Sequence, residues 1–263
     1  MNRKDESSEI VKNYYNETLR GLPTDYISWR WGETEIKRSH YKQTERTILR
    51  VCELMKGCKS VLEVGCGPAV WTPYYIDHVT DLTLLDISEE MLSRAQDRLK
   101  AYDRVTYRCG DFAKIESLPR GQYDAILSVR AFEYMENKPH IIEKCFSLLR
   151  PGGRLYIITK NREWCDLKRE LRSREMNLSS THPVGEVIQN NVVSWRDILS
   201  WFTQAGFVQT EANPVILGSY YPPLNYRVGQ ILCDQVQRMV YSHDMNRWWS
   251  YFSESCLISG IKQ

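Results

Sequence analysis

The chain has 263 residues, with 35 Lys and Arg against 33 Asp and Glu for a formal net charge of +2. That length suits one sizeable core with additions, and the balanced charge leaves no basic tract of the kind that marks a nucleic-acid binder, so nucleic acid is not expected as a partner. The polar start "MNRKDESSEI" lacks an apolar h-region and no run of about 18 apolar residues occurs, so neither export nor a membrane span is expected.

The eight cysteines are scattered, without C-x-x-C pairs or zinc spacing. We therefore expect reduced thiols, a cytoplasmic location and no metal. Cys66 and Cys109 fall in apolar runs and read as small buried hydrophobes.

Residues 1–56 read as an N-terminal helical cap rich in aromatic and charged side chains, its last part, Tyr41 to Met55, being a helix packed on a sheet. Residues 57–263 read as the core. It opens with "VLEVGCGPAVWT" (61–72), a buried strand, a glycine turn and then a helix that ends near His78. The runs "SVLEV" (60–64), "LTLLD" (82–86), "RVTYRC" (104–109), "YDAILSV" (123–129) and "GRLYIIT" (153–159) alternate with amphipathic stretches. In one of these, Met91, Leu92, Ala95 and Leu99 recur at helical spacing behind the N-cap Ser88. Such alternation implies right-handed crossovers and a parallel sheet covered on both faces. The helix before the fifth strand should end at "LLRPGG", where Pro151 and two glycines break it.

Beyond the fifth strand, insertions at 161–194 and 218–252 read as lids, the first of them polar and without strand signal. Between them lie an N-capped helix, "SWRDILSWFTQAGF", ending near Gly206, and the strand "FVQTEANPVIL". The apolar "SCLISGI" closes the chain.

A glycine turn between strand and helix aims backbone N–H groups at a ligand and lets that ligand approach the backbone. A dinucleotide fingerprint would need a third glycine where Val70 stands. Glu63, at the end of an apolar strand, would repel a pyrophosphate but attract an ammonium. Asp86 closes the second strand, the position from which a carboxylate accepts from ribose hydroxyls, and Asp111 closes the third. An amine, a ribose and a base with an exocyclic amine describe S-adenosylmethionine better than NAD.

"EVGCGPA" resembles the E/D-x-G-x-G-x-G motif of class I S-adenosylmethionine-dependent methyltransferases, with Ala69 in place of the last glycine. "LLDIS" with "EMLSRA", "CGDF", "YDAILSVRAFEYM" and "LLRPGGRLYIIT" resemble the later motifs of that family, in order, over Cys58 to Lys160. The resemblance implies a three-layer Rossmann-like fold with a seven-stranded, mostly parallel sheet and an antiparallel final strand. It also implies that Gly65, Cys66 and Gly67 approach the methionine part of the cofactor, with Glu63 on its amino group. Asp86 would take the ribose, Ile87 would lie against the adenine face with Met91 also in the cofactor site, and Gly110, Asp111 and Phe112 would meet the adenine. Ser128, Val129 and Arg130, at the end of the fourth strand, would line the pocket near the sulfonium.

Methyl transfer is an in-line displacement that rests largely on alignment and exclusion of water, with a base where the acceptor must lose a proton. Candidate bases are His40, His182 and His243, in the added regions, and Glu133 and Tyr134, in the loop after the fourth strand. His78 and His140 read as helix-end or surface residues, and a solvated or helix-start Glu133 is the alternative to a catalytic one. The motif after the fourth strand is "SVRA" and not Asn/Asp-Pro-Pro-Tyr/Phe, which in this family argues against methylation of base or amide nitrogens. "YYPPLNY" (220–226) reads as a rigid loop.

The expected acceptor is the O or N of a small metabolite or natural-product intermediate. Tyr26, Trp29, Trp31 and Tyr41, with Tyr220, Tyr221, Tyr226, Trp248, Trp249 and Tyr251, would line its pocket or pack the cap. Arg30, Lys37, Arg38, Arg227 and Arg247 would bind an anionic acceptor or lie on a solvated face. A peptide or protein N-methyltransferase and a non-catalytic S-adenosylmethionine-binding module are the alternatives, and a homodimer is left open.

Overall fold

A computed structural model of the chain describes residues 3–22, 25–166, 183–217, 227–242 and 249–263. The aliphatic and β-branched runs become β1 (Ser60–Val64), β2 (Asp81–Asp86), β3 (Val105–Cys109), β4 (Tyr123–Val129) and β5 (Leu149–Lys160), followed by β6 (Phe207–Leu217) and β7 (Ser253–Lys262). They form one seven-stranded sheet in the order β3-β2-β1-β4-β5-β7-β6. The first five strands pair in parallel, and β7 runs antiparallel to both β5 and β6. This is the mostly parallel sheet with an antiparallel final strand that the motifs imply. Its order reverses between β1 and β4, and in open α/β sheets ligands bind at the carboxyl edge beside such a reversal.

The helices are α1 (Arg3–Arg20), α2 (Glu35–Leu54), α3 (Glu89–Arg98), α4 (Lys138–Leu148), α5 (Pro183–Asn191), α6 (Trp195–Ala205) and α7 (Arg227–Ser242). Local capping sets their starts. Ser88 accepts from the Met91 N–H at 3.1 Å, Thr34 from Lys37 at 3.2 Å and Ser194 from Arg196 at 3.1 Å. Gly206, at φ +100°, caps the end of α6. One face of the sheet buries Ile48 and Val51 of α2 with Leu92 and Ala95 of α3. The other buries Ile141 and Ile142 of α4 with Ile198 and Phe202 of α6. A helix layer on each face makes the three-layer architecture.

Three local expectations are corrected. No α-helix follows the glycine turn. Two short 3-10 turns, Thr72–Tyr74 and Ile76–His78, take its place, because Pro73 inside the segment has no N–H for a continuing helical ladder. Helix α4 ends at Leu148, within "LLRPGG" as expected, and "RPGG" becomes an irregularity inside β5, where the pairing shifts between Tyr123 and Ala125. Cys109 is exposed, unlike Cys66, since β3 is the edge strand. Helix α2 starts six residues before Tyr41, and the segment 161–194, read as carrying no strand signal, holds the helix α5.

Candidate active site

The turn after β1 is built by backbone conformation. Gly65 (φ +71°), Gly67 (φ +55°) and Ala69 (φ +54°) all adopt the left-handed region, which costs a residue with a Cβ. The Gly65 N–H donates to the Leu85 carbonyl at 2.7 Å, and a Cβ at Gly65 would fall 2.1 Å from that of Ala131. The turn is therefore pressed between β2 and the loop after β4, and only glycine fits at its first position. At Gly67 a Cβ would meet only the Met91 sulfur, at 3.8 Å. That glycine serves the backbone angle.

Three carboxylates stand at the ends of neighbouring strands. Glu63 is buried, and its Oε2 accepts from the Thr72 hydroxyl at 2.7 Å and from Tyr75. Burial pushes its carboxyl up to about 7, against the pull of the two hydroxyl donors. Asp86 accepts the Gly67 N–H on Oδ2 at 2.8 Å and the Ser88 N–H on Oδ1 at 2.9 Å. Burial raises it to about 6, with those backbone donors opposing. Asp111 accepts from the Ala113 N–H at 3.0 Å and from the Ser8 hydroxyl at 2.9 Å.

These strand ends open on a cavity of about 290 Å³. Of the expected cofactor contacts, Glu63, Gly65, Cys66, Gly67, Asp86, Ile87, Met91, Gly110, Asp111, Phe112, Val129 and Arg130 line it. Ser128 does not; it is buried within β4. Tyr26 and Trp31 line the cavity, and Trp31 packs against Trp71 and Tyr41 at centroid distances of 5.7 and 5.5 Å. Helix α1 adds Ser8, Val11 and Tyr15. These wall residues were not singled out from sequence, although their spacing of three and then four places them on one helical face.

The base candidates separate. Tyr134 lines the cavity, and its hydroxyl lies 2.7 Å from that of Tyr15. Glu133 is not a solvated carboxylate. It is buried outside the lining, where Arg130 Nε donates to its Oε1 at 2.9 Å and Thr159 to its Oε2 at 3.1 Å. Burial pushes its carboxyl up, but the charges of Arg130 and Lys160 outweigh that and hold it below the ordinary value. This pairing fixes Arg130 at φ +60°, a strained angle for arginine. His40 is buried in α2 and is not a lining residue, whereas the exposed His140 lines the rim. His182 and His243 lie outside the described residues, as do Tyr220, Tyr221, Tyr226, Trp248 and Arg247. Among the described residues no group of three or more His, Cys, Asp or Glu side chains could hold a metal, and no helix is long and apolar enough to cross a membrane.

The donor set decides what the cavity suits. A pyrophosphate needs free N–H groups at a helix N-terminus, but a 3-10 turn follows the glycines and the Gly67 N–H is committed to Asp86. Three acceptor carboxylates beside a glycine turn suit an ammonium, a ribose diol and an adenine amine. The sheet order and its antiparallel last strand are those of the Rossmann-like methyltransferase fold.

The comparisons agree. Residues 61–153 match the family described as a methyltransferase domain. The chain is similar to a malonyl-[acyl-carrier protein] O-methyltransferase of Ilyobacter polytropus, at 25% identity over 45% of this chain and 46% of that one. It also resembles, at 33% identity over 41% of this chain, a stretch making up 5% of a non-reducing polyketide synthase from Penicillium shearii. The match thus spans less than half the length of these curated relatives. The N-methyltransferase NodS of Bradyrhizobium japonicum, solved with S-adenosyl-L-homocysteine, shares the fold, with a TM-score of 0.60 over 94% of this chain and 98% of that one at 14% identity. Residues 61–153 thus match a methyltransferase domain, and the chain around them has the fold of solved methyltransferases.

Proposed function

We propose that the chain transfers the methyl group of S-adenosylmethionine to an oxygen or nitrogen of a small organic acceptor. The observation that carries this reading is the convergence of Glu63, Asp86 and Asp111 on one cavity beside the Gly65–Gly67 turn. When bound, the cofactor supplies an electrophilic methyl group on a sulfonium sulfur. Glu63 holds its ammonium, and among the described residues both hydroxyl donors to Glu63 converge on Oε2, so that Oε1 remains for this task. Asp86 binds the ribose through the second lone pairs of its two oxygens, and Asp111 with Phe112 meets the adenine.

The chain's part in the reaction is alignment and the exclusion of water. Burial pushes the hydroxyls of Tyr15 and Tyr134 above their ordinary range, so both stay protonated and orient without taking a proton. Residues 1–56 act as a cap, with α1 lying over the cofactor cavity and α2 packed on the core. All eight cysteines are free of disulfides, which suits a reducing compartment such as the cytoplasm.

Calorimetry with S-adenosylhomocysteine and with NADH tests the reading. Binding of the first and not the second is expected. Tight NADH binding without S-adenosylhomocysteine binding would overturn it.

A further inference from the structure

A second cavity, of about 330 Å³, adjoins the first, and the two share Tyr15, Arg30 and Tyr134 as a common wall. These come from α1, from the π-helical turn Ser28–Gly32 and from the 3-10 turn Phe132–Tyr134. The two cavities meet along this wall. Its two tyrosine rings meet edge to face with centroids 5.9 Å apart, and their hydroxyls are hydrogen-bonded.

The rest of the second cavity has a definite character. Tyr14 and Trp29 give it aromatic walls, and Val184 and Ile188 of α5 give it an apolar one. Its charged lining is Arg30, Lys37 and Glu33. Glu33 is ion-paired to Lys37 one helical turn on, whereas Arg30 has no carboxylate partner among the described residues and lies over the Trp31 ring at 5.7 Å. Arg30 lines both cavities, so its side chain stands where they meet. A half-buried guanidinium without a carboxylate, set among aromatic faces, is a site for a planar anion.

We propose that the second cavity is the acceptor chamber and that it takes a compact, flat organic acid, whose anionic group pairs with Arg30 at the wall between the two cavities. This rests on the methyltransferase reading above. The volume lies at the small end of ligand pockets, roughly 300–1,000 Å³. The lining excludes an ammonium, which Arg30 would repel, and among the described residues it offers no carboxylate base, since Glu33 is tied to Lys37, while burial keeps Tyr15 and Tyr134 protonated. An acceptor that arrives ionised needs none. Its anionic oxygen forms the bond to the methyl carbon as the methyl–sulfur bond breaks. The electron pair of that bond stays on sulfur, so sulfonium and anion become a neutral thioether and a neutral ester or ether, and no proton moves.

Calorimetry on protein saturated with S-adenosylhomocysteine tests this, with trans-cinnamate and its uncharged counterpart trans-cinnamamide as probes. Cinnamate is expected to bind about tenfold or more tightly than the amide, the scale of a charge-assisted pair. Arg30→Gln should bring the two within about twofold, Arg30→Lys should keep part of the preference, and Trp29→Ala should weaken both. Retained preference in Arg30→Lys shows that the fold survives a change at this position. Equal binding of the two probes by the unaltered protein, or no binding of cinnamate, overturns the proposal. So does a loss of S-adenosylhomocysteine affinity in Arg30→Gln with 5′-methylthioadenosine unaffected, since that would assign Arg30 to the cofactor's carboxylate. Failure of the unaltered protein to bind S-adenosylhomocysteine would instead overturn the methyltransferase reading, and this proposal with it.

Discussion

Asp86 holds Gly67: its Oδ2 accepts the glycine N–H at 2.8 Å, so the carboxylate expected to bind the ribose also braces the turn beneath the methionine end. Substitution should therefore act twice. Asp86→Ala leaves the Gly67 N–H unsatisfied, costing about 1–3 kcal/mol of stability, and removes the ribose acceptor. Affinity for S-adenosylhomocysteine should fall about 100-fold or more, near 3 kcal/mol. Asp86→Asn keeps an oxygen for only one of the two backbone donors, Gly67 and Ser88, and turns its NH2 on the other, so it should recover part of the stability but not the affinity. Thermal melting beside calorimetry separates the two effects, and unchanged affinity in Asp86→Ala would move the ribose site elsewhere.

Glu63 makes both stability and binding depend on pH. Burial raises its folded-state value from 4.5 to about 7, with the Tyr75 and Thr72 hydroxyls opposing. Between those limits the folded protein binds more protons than the unfolded chain, so stability should fall as pH rises through that window and level off above it. Binding runs the other way. An ammonium needs the ionised carboxylate, so S-adenosylhomocysteine affinity should rise from pH 5 to about 7 with release of a proton. Glu63→Gln should remove most of this slope, leaving the part due to Asp86 near 6, and weaken binding at pH 7.5 by about tenfold. Calorimetry in buffers of different ionisation heat reads the proton directly; an unchanged slope in Glu63→Gln would remove the carboxylate from the amine site.

The three left-handed residues of the turn should rank by what a methyl group meets. Gly65→Ala incurs both the backbone penalty and the clash with Ala131, and should cost about 2–4 kcal/mol. In Gly67→Ala the Met91 sulfur is at ordinary contact distance, so only the backbone penalty of about 1–2 kcal/mol remains. Ala69→Gly runs in the opposite sense: it relieves the strain at φ +54° but frees the unfolded chain by about 0.4–1 kcal/mol, for a net change near zero. Urea unfolding of the three variants tests the order. A Gly65→Ala variant as stable as Gly67→Ala would mean that the loop at Ala131 yields.

What was legible in the sequence was local or periodic. Aliphatic runs, the caps Ser88 and Ser194 and the stop at Gly206 depend on neighbours in the chain, and the spacing of Glu63, Asp86 and Asp111 follows from parallel strands of similar length. Pro73 marks the break in the segment after the turn, but a glycine turn after a buried strand reads as the start of a helix in α/β chains. The remainder is tertiary. Exposure of Cys109 depends on β3 lying at the sheet edge, and Glu133 is buried because Arg130 turns back on it from a strained angle. That Tyr15 and Arg30 complete the wall of two cavities follows from where α1 and the turn after it dock, which no local pattern encodes.

Helix α1 is fastened across the cofactor cavity at three points. Ser8 donates to Asp111 at 2.9 Å, the Tyr15 and Tyr134 hydroxyls are 2.7 Å apart, and the Ser88 hydroxyl donates to Asn16 at 2.7 Å. These bonds tie the helix to the loops after β3, β4 and β2 in turn, so a ligand in the cavity is expected to leave at the carboxyl edge when the helix lifts. At about 0.5–1.5 kcal/mol each, removing all three in Ser8→Ala/Tyr15→Phe/Asn16→Ala weakens the clasp by roughly 1.5–4.5 kcal/mol. Dissociation of S-adenosylhomocysteine should then quicken by at least about tenfold in stopped-flow, with a smaller change in association. Ligand should also slow amide exchange in α1 of the unaltered protein. If the triple variant releases the ligand at the unaltered rate, the exit does not run past α1, and the helix packs on the core without gating it.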